Sequence, residues 1–395
     1  MQLRGAFSRD ATGATEGARP VGVRDYNERL VLSLIRDSGP IGSAEIARAT
    51  NLSAQTSSVI TRALESEGLV MRGAPVKGRV GKPTTPLVIA PDSVVSYGLR
   101  IGRRSADFLQ IDLSGARRGH LTQVYPVPTP DVIRNFVARG MRELPAPSEE
   151  SRIAGLGIAS PYELWNWLEL VGADKSQMEA WRDFDFATDL ELDLQTDIPI
   201  LIGNDISLAA FGELHFGMRP ELRDFGYFYV GAFVGGGVVI DGRLVRGTNG
   251  NAGAFGSIPV SDPARSGHQL IEHASIHILE RDIRSAGGDP ARLWTDPDDW
   301  SGIGAALENW LDQTAFGLAT AIVAVTAVLD LPRMVVDGSF PPDIRRRLRD
   351  KIETQLANVD TRGLKTPDIL EGSLGRMAGA YGSAHDPLLL RYLRD

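Results

Sequence analysis

A glycine-rich segment near the middle of the chain has the residue types best suited to hold a small polar ligand. Residues 228–260 read FYVGAFVGGGVVIDGRLVRGTNGNAGAFGSIPV, with glycines beside β-branched residues. Because glycine has no Cβ, such a segment lets backbone groups approach a ligand closely. Its last part, GNAGAFGS (250–257), is compatible with sugar binding, with phosphate binding or with a simple turn.

A second segment has the chemistry of polyanion binding. Residues 71–89 read MRGAPVKGRVGKPTTPLVI, a Gly/Pro-rich loop between two apolar strands with basic residues and no acid. Arg79 or Lys82 inserted into a narrow, A·T-rich minor groove would use the negative potential of that groove. A basic loop by itself is usually a solvated turn, but this one directly follows a helix-turn-helix pattern. We therefore expect a DNA-contacting wing that carries Arg72, Lys77, Arg79 and Lys82.

The residues before this loop predict the elements that position it. NERLVLSLIRDSGPI (27–41) has helical apolar spacing, and GSAEIARATNLSAQTSSVITRALESEGLV (42–70) predicts two helices joined by a tight turn at Asn51-Leu52. Ser43 and Ser53 are the expected N-caps, and Gly68 is expected to end the second helix. Together with the strands, this predicts a winged helix-turn-helix, although a three-helix bundle with a polar face is the alternative.

In that arrangement the N-terminal turn of the second helix enters the major groove. Gln55 is the most informative candidate, because a side-chain amide can pair bidentately with adenine. The predicted DNA contacts on this helix are Ala54, Gln55, Thr56 and Ser58 near base edges, with Ser57 and Arg62 nearer the phosphates. The cap residue Ser53 is also a predicted DNA contact.

Bulk composition bounds the class of protein. The chain has 395 residues, which predicts two or three domains, and no cysteine, which excludes disulfides and thiolate metal sites. Residues 1–90 carry 12 Lys and Arg against 8 Asp and Glu, whereas the whole chain carries 42 against 50, so only the front is suited to a polyanion. No run approaches the roughly 18 apolar residues of a membrane span, and no signal peptide is evident. A cytoplasmic protein is expected.

After residue 90, strand and helix patterns alternate, which predicts α/β layers. Both halves open with strands, and a cleft between two lobes is expected. The predicted division is a disordered leader (1–20), a winged helix-turn-helix domain (21–90) and an α/β domain (91–395) with lobes of about 91–200 and 201–395.

Over residues 25–385 the chain resembles the ROK family (repressors, open reading frames and sugar kinases). After the helix-turn-helix, the resemblance rests on the order and spacing of five motifs: GRVGKP, GNDISLAAFGE, VGGGVVIDGRLVRGTNGNAGAFG, LDLPRMVVDG and GSLGRMAGAYGSA. The resemblance implies a two-lobed actin/hexokinase-like (ribonuclease H-like) domain. It also implies a regulator that is released or rearranged on DNA when a sugar or sugar phosphate binds.

The resemblance also bears on catalysis. Kinases of the family carry an Asp-x-Gly-Gly-Thr turn, and here Arg100 stands in place of the Asp, with Arg103-Arg104 in place of the second Gly and the Thr. Ala232-Phe233 replace a Thr-Gly in the second phosphate turn. A ligand carboxylate near Mg²⁺ has become a cation, and close backbone approach is lost. We expect no kinase activity.

On the sugar side, Asn204-Asp205 match a family pair in which the Asp is the base of the kinases and both residues hold sugar hydroxyls; a plain N-cap is the alternative. The family's zinc-supported sugar loop ends Gly-Glu-x-Gly-His, but Ala254 and Ser257 occupy the Glu and His positions and the cysteine cluster is absent. No metal and no cofactor are therefore expected. The predicted effector site is Asn204, Asp205, Gly253, Ala254, Ser257 and Glu272, with a contact from Asp174.

The leading hypothesis is a transcriptional regulator of carbohydrate metabolism or transport, expected as a repressor. It would bind a palindromic, A·T-rich operator as a homodimer or tetramer and respond to a carbohydrate in the interlobe cleft. Two alternatives stay open: a sugar kinase with an accessory DNA-binding domain, and a regulator that responds to a protein partner.

Overall fold

The N-terminal part of the computed structural model is a compact head of helices and a β-hairpin. The structure describes residues 20–75, 85–161, 175–194, 197–261 and 268–394. Strands β1 and β2 pair antiparallel around the predicted wing loop, and Ile35, Ile46 and Ile60 lie in the core beneath them. The elements of the head are α1 (Pro20–Ser38), α2 (Ser43–Thr50), α3 (Ala54–Ser66), β1 (Val70–Arg72) and β2 (Leu87–Ile89).

The turn chemistry of the head agrees with the sequence at three of four points. Gly68 follows the end of α3 in the left-handed conformation (φ 70°). Asn51 ends α2 in the left-handed conformation (φ 55°), and the Ser53 hydroxyl caps α3. The prediction that Ser43 caps α2 is wrong, because Gly42 holds the N-cap position and no side chain caps this end. The Gly42 carbonyl oxygen accepts the first helical hydrogen bond instead, from the Ile46 amide at 3.0 Å.

The body contains two five-stranded sheets with the same strand order. The first sheet runs β5-β4-β3-β6-β7, with β3, β4 and β5 antiparallel and β3, β6 and β7 parallel. Its elements are β3 (Val94–Ile101), β4 (Ser105–Asp112), β5 (Arg117–Val124), α4 (Pro130–Glu143), β6 (Arg152–Ser160), α5 (Lys175–Asp183), α6 (Phe186–Leu194) and β7 (Ile200–Asn204).

The second sheet repeats that order as β10-β9-β8-β11-β12, again with an antiparallel meander followed by two parallel strands. The repeated sheet explains why both halves of the sequence open with strands. Its elements, with the helices around it, are α7 (Asp205–Phe216), β8 (Phe225–Val230), β9 (Val234–Ile240), β10 (Arg243–Leu244), α8 (Ile276–Ser285), α9 (Arg292–Thr295), α10 (Ala305–Leu329), β11 (Arg333–Gly338), α11 (Pro342–Leu356), β12 (Asp368–Glu371) and α12 (Ala378–Arg391).

The last helix does not stay with the second sheet. Helix α12 packs on β3, on β6 and along α7, so the end of the chain returns to the first sheet. Glycines make this close approach possible: a Cβ built on Gly157 would lie 1.8 Å from the Ser383 carbonyl oxygen. The predicted lobe limits of 91–200 and 201–395 therefore do not follow the packing, because α12 belongs structurally with the first lobe.

One long helix contradicts the expectation that no apolar run approaches the length of a membrane span. Helix α10 has 25 residues and reaches a mean hydropathy of 1.5 over an 18-residue window, enough by length and composition alone to span a membrane. In this fold it is a core helix: Trp310, Leu318 and Ile322 are fully buried in the largest hydrophobic cluster, together with side chains of α8, β11 and α11. Most of its apolar surface therefore packs within the second lobe, although Val328 is exposed.

Candidate functional site

The first turn of α3 presents short polar side chains at the surface of the head. The Ser53 hydroxyl accepts a hydrogen bond from the Thr56 amide at 3.0 Å, which begins the helix sharply and leaves Ala54 and Gln55 exposed. Arg62, two turns further along, is also exposed, and its Nε donates to the Ser58 carbonyl oxygen at 3.1 Å. This surface has the shape and chemistry of a major-groove reading helix.

One predicted phosphate contact does not lie on that surface. Ser57 is only 1% exposed and faces the core of the head with Ile60, Thr61 and Leu64, so its hydroxyl cannot reach DNA in this conformation. The wing contacts Lys77, Arg79 and Lys82 lie outside the described residues. Arg72 is at the base of the hairpin, where its guanidinium pairs with Glu65 at 3.0 Å.

A cavity of about 350 Å³ lies between the two lobes of the body. This volume is within the range of small-molecule sites. Of the predicted effector residues, it brings together Asn204, Asp205, Gly253, Ala254 and Ser257. Each sheet contributes one turn to the cavity wall. From the first sheet, the turn between β3 and β4 contributes Arg100, Gly102, Arg103, Arg104 and Ser105. From the second sheet, the turn between β8 and β9 contributes Gly231 to Gly236.

In the Asn204-Asp205 pair, the first residue caps a helix and both residues line the cavity. The Asn204 Oδ1 accepts from the Ile206 and Ser207 amides at 3.2 and 3.0 Å, so this side chain caps α7. Asp205 lies in the cavity wall, and its burial raises the pKa of the carboxyl to about 6, against the opposing effect of the Arg100 guanidinium. A carboxylate at a helix N-terminus beside a polar cavity is suited to accept ligand hydroxyl groups.

The glycine-rich loop forms the opposite wall by packing directly on the second sheet. Gly253 has a φ of +80°, and a Cβ placed on it would lie 2.7 Å from the Gly237 Cα, so only glycine fits. Ala254 and Ser257 follow in a short 3₁₀ turn and line the cavity. This wall therefore offers backbone and a hydroxyl group but no charged side chain.

Two predicted effector residues are not found in the cavity wall. The Glu272 carboxylate accepts from the His268 and Gln269 amides at 2.7 and 3.0 Å, which caps the turn Leu270–Glu272 and lowers the pKa of this carboxyl. Its neighbour Ile271 lines the cavity instead. Asp174 lies outside the described residues. In the described part of the chain, no group of three or more His, Asp or Glu is arranged to hold a metal ion.

The residues that replace the kinase phosphate turns all line the cavity. Arg100 is buried and pairs with Asp107 at 3.4 Å, and although burial disfavours its charge, Tyr229, Asp107 and Asp205 keep its pKa above the ordinary value. Arg103 stacks against the Phe233 ring, with its guanidinium carbon 5.4 Å from the ring centre. The sites of both phosphate turns are thus filled by cationic and aromatic side chains.

Sequence reasoning missed several residues of this site, among them Trp294, Glu280 and Asn251. Trp294 lines the cavity and donates its indole N–H to Glu280 at 2.5 Å. Glu280, only 4% exposed, also pairs with Arg103 at 3.5 Å and with Arg104 at 3.7 Å. Asn251 completes the loop side. No local pattern marks Trp294 or Glu280, but the run Arg103-Arg104 was itself a signal that a carboxylate partner lay elsewhere.

Comparisons with known proteins agree with this two-part architecture. Residues 96–269 match the ROK family, and residues 24–71 match a winged helix-turn-helix DNA-binding family. The xylose repressor of Bacillus subtilis is 24% identical over 242 residues, 60% of this chain and 61% of that one.

Two solved structures share the fold. One is a ROK family transcriptional regulator described as a homologue of the Escherichia coli MLC protein, with a TM-score of 0.66, 18% identity and coverage of 93% of this chain and 98% of that one. The other is a ROK family glucokinase from Streptomyces griseus, with a TM-score of 0.56, 19% identity and coverage of 73% and 98%. The chain thus contains a ROK family domain over residues 96–269, and a winged helix-turn-helix match over residues 24–71 precedes it.

Proposed function

We propose that this protein is a cytoplasmic transcriptional regulator, expected as a repressor, whose affinity for its operator changes when a carbohydrate binds between the lobes. The observation that carries the proposal is the exposed first turn of α3, around Gln55, on the same chain as an interlobe cavity whose wall includes the Asp205 carboxyl. The similarity to the xylose repressor supports the same assignment. The genes controlled would be those of carbohydrate metabolism or transport.

The cavity argues against phosphoryl transfer from ATP. Such transfer requires a cradle for the phosphates and a coordinated metal ion beside the sugar. Arg100 lies in the position expected for a metal-binding carboxylate and is already paired with Asp107, and Phe233 fills the second turn. Asp205 is retained, so the site keeps the hydroxyl-binding group without the phosphate machinery. We therefore propose that the protein binds a carbohydrate and does not phosphorylate it.

A continuous set of contacts joins the cavity to the head. Helix α7 begins at Asp205 in the cavity wall and ends at Phe216, whose ring lies 5.5 Å from the Arg36 guanidinium carbon of α1. Helix α12 runs beside α7, and the Arg29 guanidinium of the head donates to its Leu389 and Leu390 carbonyl oxygens. A ligand that favours one lobe closure would thereby favour one position of the head, which is the requirement for effector control.

The helix-turn-helix and the wing of the head indicate what kind of DNA site the protein would bind. A pair of heads related by two-fold symmetry reads a palindromic site, so we propose a homodimer or tetramer on such an operator. The basic wing would favour an A·T-rich flank, because a narrow minor groove attracts arginine and lysine. Binding should weaken steeply as salt rises, since phosphate neutralisation releases counterions.

The direct test is fluorescence anisotropy of the full chain on DNA from upstream of its own gene, with and without a panel of pentoses, hexoses and their phosphates. We expect one carbohydrate to change the operator affinity about 10-fold or more, and Asp205→Asn to abolish that change while retaining DNA binding. Asp131→Asn, an exposed carboxyl of α4, is the matched control. DNA binding without any response to carbohydrates would refute the effector role and favour a protein partner. ATP-dependent phosphorylation of any sugar would establish the kinase alternative.

A further inference from the structure

Two arginines in the turn between β3 and β4 share a single buried carboxylate. Arg103 and Arg104 both line the cavity, and both lie within 4 Å of Glu280, at 3.5 and 3.7 Å. Glu280 also accepts the indole N–H of Trp294. Among the described residues, one negative charge therefore faces the two positive charges of this arginine pair, which leaves an excess of positive charge.

Arg103 is incompletely satisfied at this position. Its side chain is only 9% exposed. Its Nη1 reaches the Glu280 Oε2 only at 3.5 Å, an ion pair without hydrogen-bond geometry, and its Nε makes no hydrogen bond to any residue in the described ranges. Burial lowers the pKa of this guanidinium to about 10; Glu280 opposes that shift, whereas Arg104 and Arg284 add to it. A buried guanidinium with unused donors is costly, and an oxygen anion supplies the acceptors that it lacks.

A second part of the cavity wall, around Asp205, carries a carboxyl group. There the Arg100 charge is balanced by the buried Asp107, and Asp205 adds a carboxyl group that faces the ligand space beside Asn204. Hydroxyl groups suit the Asp205 end, and an anionic group suits the Arg103 end. The cavity is therefore complementary to a molecule that is polyhydroxylated on one side and negatively charged on the other.

We infer that the effector is an anionic carbohydrate, whose phosphate or carboxylate group is bound by Arg103 and Arg104 while its hydroxyl groups face Asn204 and Asp205. This inference rests on the proposed function and specifies its ligand class. A guanidinium binds either group through paired N–H···O contacts, so the two anions share the same recognition chemistry. The arginines that remove the kinase phosphate turn thus create a site for an anion of the ligand itself.

The test is isothermal titration calorimetry of the full chain with matched pairs of probes. Glucose 6-phosphate against glucose, and xylose 5-phosphate against xylose, measure the phosphate contribution, while glucuronate against glucose measures the carboxylate contribution. We expect at least one anionic probe to bind about 10- to 100-fold more tightly than its neutral parent, the range for hydrogen bonds to charged groups. The pair that shows the preference identifies which anion is used.

Variants decide whether Arg103 causes that preference. Arg103→Gln should remove the preference for the anionic probe and leave the neutral parent unchanged, whereas Arg103→Lys should retain part of it. Arg281→Gln, an exposed arginine of α8, is the control and should have no effect. If Arg103→Gln does not fold, Arg104→Gln, whose side chain is more exposed, takes its place. Equal affinity for charged and neutral probes, or equal losses for both in Arg103→Gln, would overturn the inference.

Failure of the proposed function can be separated from failure of this inference. If no carbohydrate binds, the effector role fails, and inorganic phosphate alone then decides the anion site. A rise of the melting temperature with millimolar phosphate in the wild type and in Arg281→Gln, but not in Arg103→Gln, would support the anion site. The same rise in all three proteins, or no rise in any, would overturn it.

Discussion

The junction between the head and the body should lose stability as the pH falls below about 6.5. His385 lies on α12 and is 0% exposed, surrounded by the rings of Phe211, His215 and Phe216 at 4.5 to 5.5 Å. Burial, with the positive charge of Arg36 and the neighbouring His215, lowers its pKa well below the ordinary value of 6.5. The Arg36 Nη1 lies 3.5 Å from its Nε2, which therefore must stay unprotonated to accept a hydrogen bond.

The sign and size of the effect follow from proton linkage. The folded protein keeps His385 neutral while the unfolded chain protonates it near pH 6.5, so the contribution to stability is complete above pH 6.5 and decreases as the pH falls toward the lower folded value. For one such histidine the unfolding free energy decreases by about 1.4 kcal/mol between pH 7.5 and pH 5.5. His215, whose pKa burial lowers to about 3 with help from Arg36 and Arg223, adds up to a similar amount.

The measurement is urea unfolding at pH 7.5, 6.5 and 5.5, followed by circular dichroism, on the wild type and on His385→Leu. Leucine has a similar volume and does not titrate, so the variant should lose about 1.4 kcal/mol less stability over this range than the wild type. The comparison uses the pH dependence and not the absolute stability, because the substitution also alters packing around Arg36. Parallel pH profiles for the two proteins would refute the neutral, buried state of His385.

Two further predictions concern the packing of α12 against α7 and the DNA contacts of α3. Gly382→Ala should destabilise the protein by about 1 to 3 kcal/mol or more in a thermal melt, because its Cβ would lie 1.8 Å from the Leu208 carbonyl oxygen; Gly73→Ala, whose Cβ meets nothing nearer than 3.4 Å, should be nearly neutral. Gln55→Ala should weaken operator binding by about 1 to 3 kcal/mol in anisotropy titrations with little change on unrelated DNA, and equal losses on both DNAs would exclude base reading by this residue.

The head was largely predictable because its signals are local. Helical apolar spacing and the Ser53 cap gave the helices of the head, and the paired apolar segments around the basic loop gave the hairpin. The misassignment of Ser57 was avoidable, since residues 57, 60, 61 and 64 recur at helical spacing and lie on one face of α3. A serine next to other polar residues suggests a surface, but its position on the helix decides its burial.

The packing of α12 was not predictable from the sequence. Its contacts with Gly98, Gly157 and Gly212 join segments more than 150 residues apart, and no local pattern in α12 indicates which sheet it covers. The same limit applied to Glu272, whose place near the cavity was inferred from a motif. The hydrogen bonds that commit its carboxylate to the His268 and Gln269 amides depend on the exact turn.

The glycine loop and the arginine turn together account for the character of the site. The loop needs glycine at Gly253 to pack against β9, and this requirement holds whether or not the loop carries an acid or an imidazole. With Ala254 and Ser257 at those positions, its wall is neutral, and the excess positive charge among the described residues comes from Arg103 and Arg104 of the other lobe. A ligand with an anionic group would therefore bridge the two lobes: its charge would bind the first lobe and its remaining surface would contact the second. Such bridging would allow binding to favour the form in which the two lobes are closed. Helices α7 and α12, which contact the head, would then move the head with the lobes.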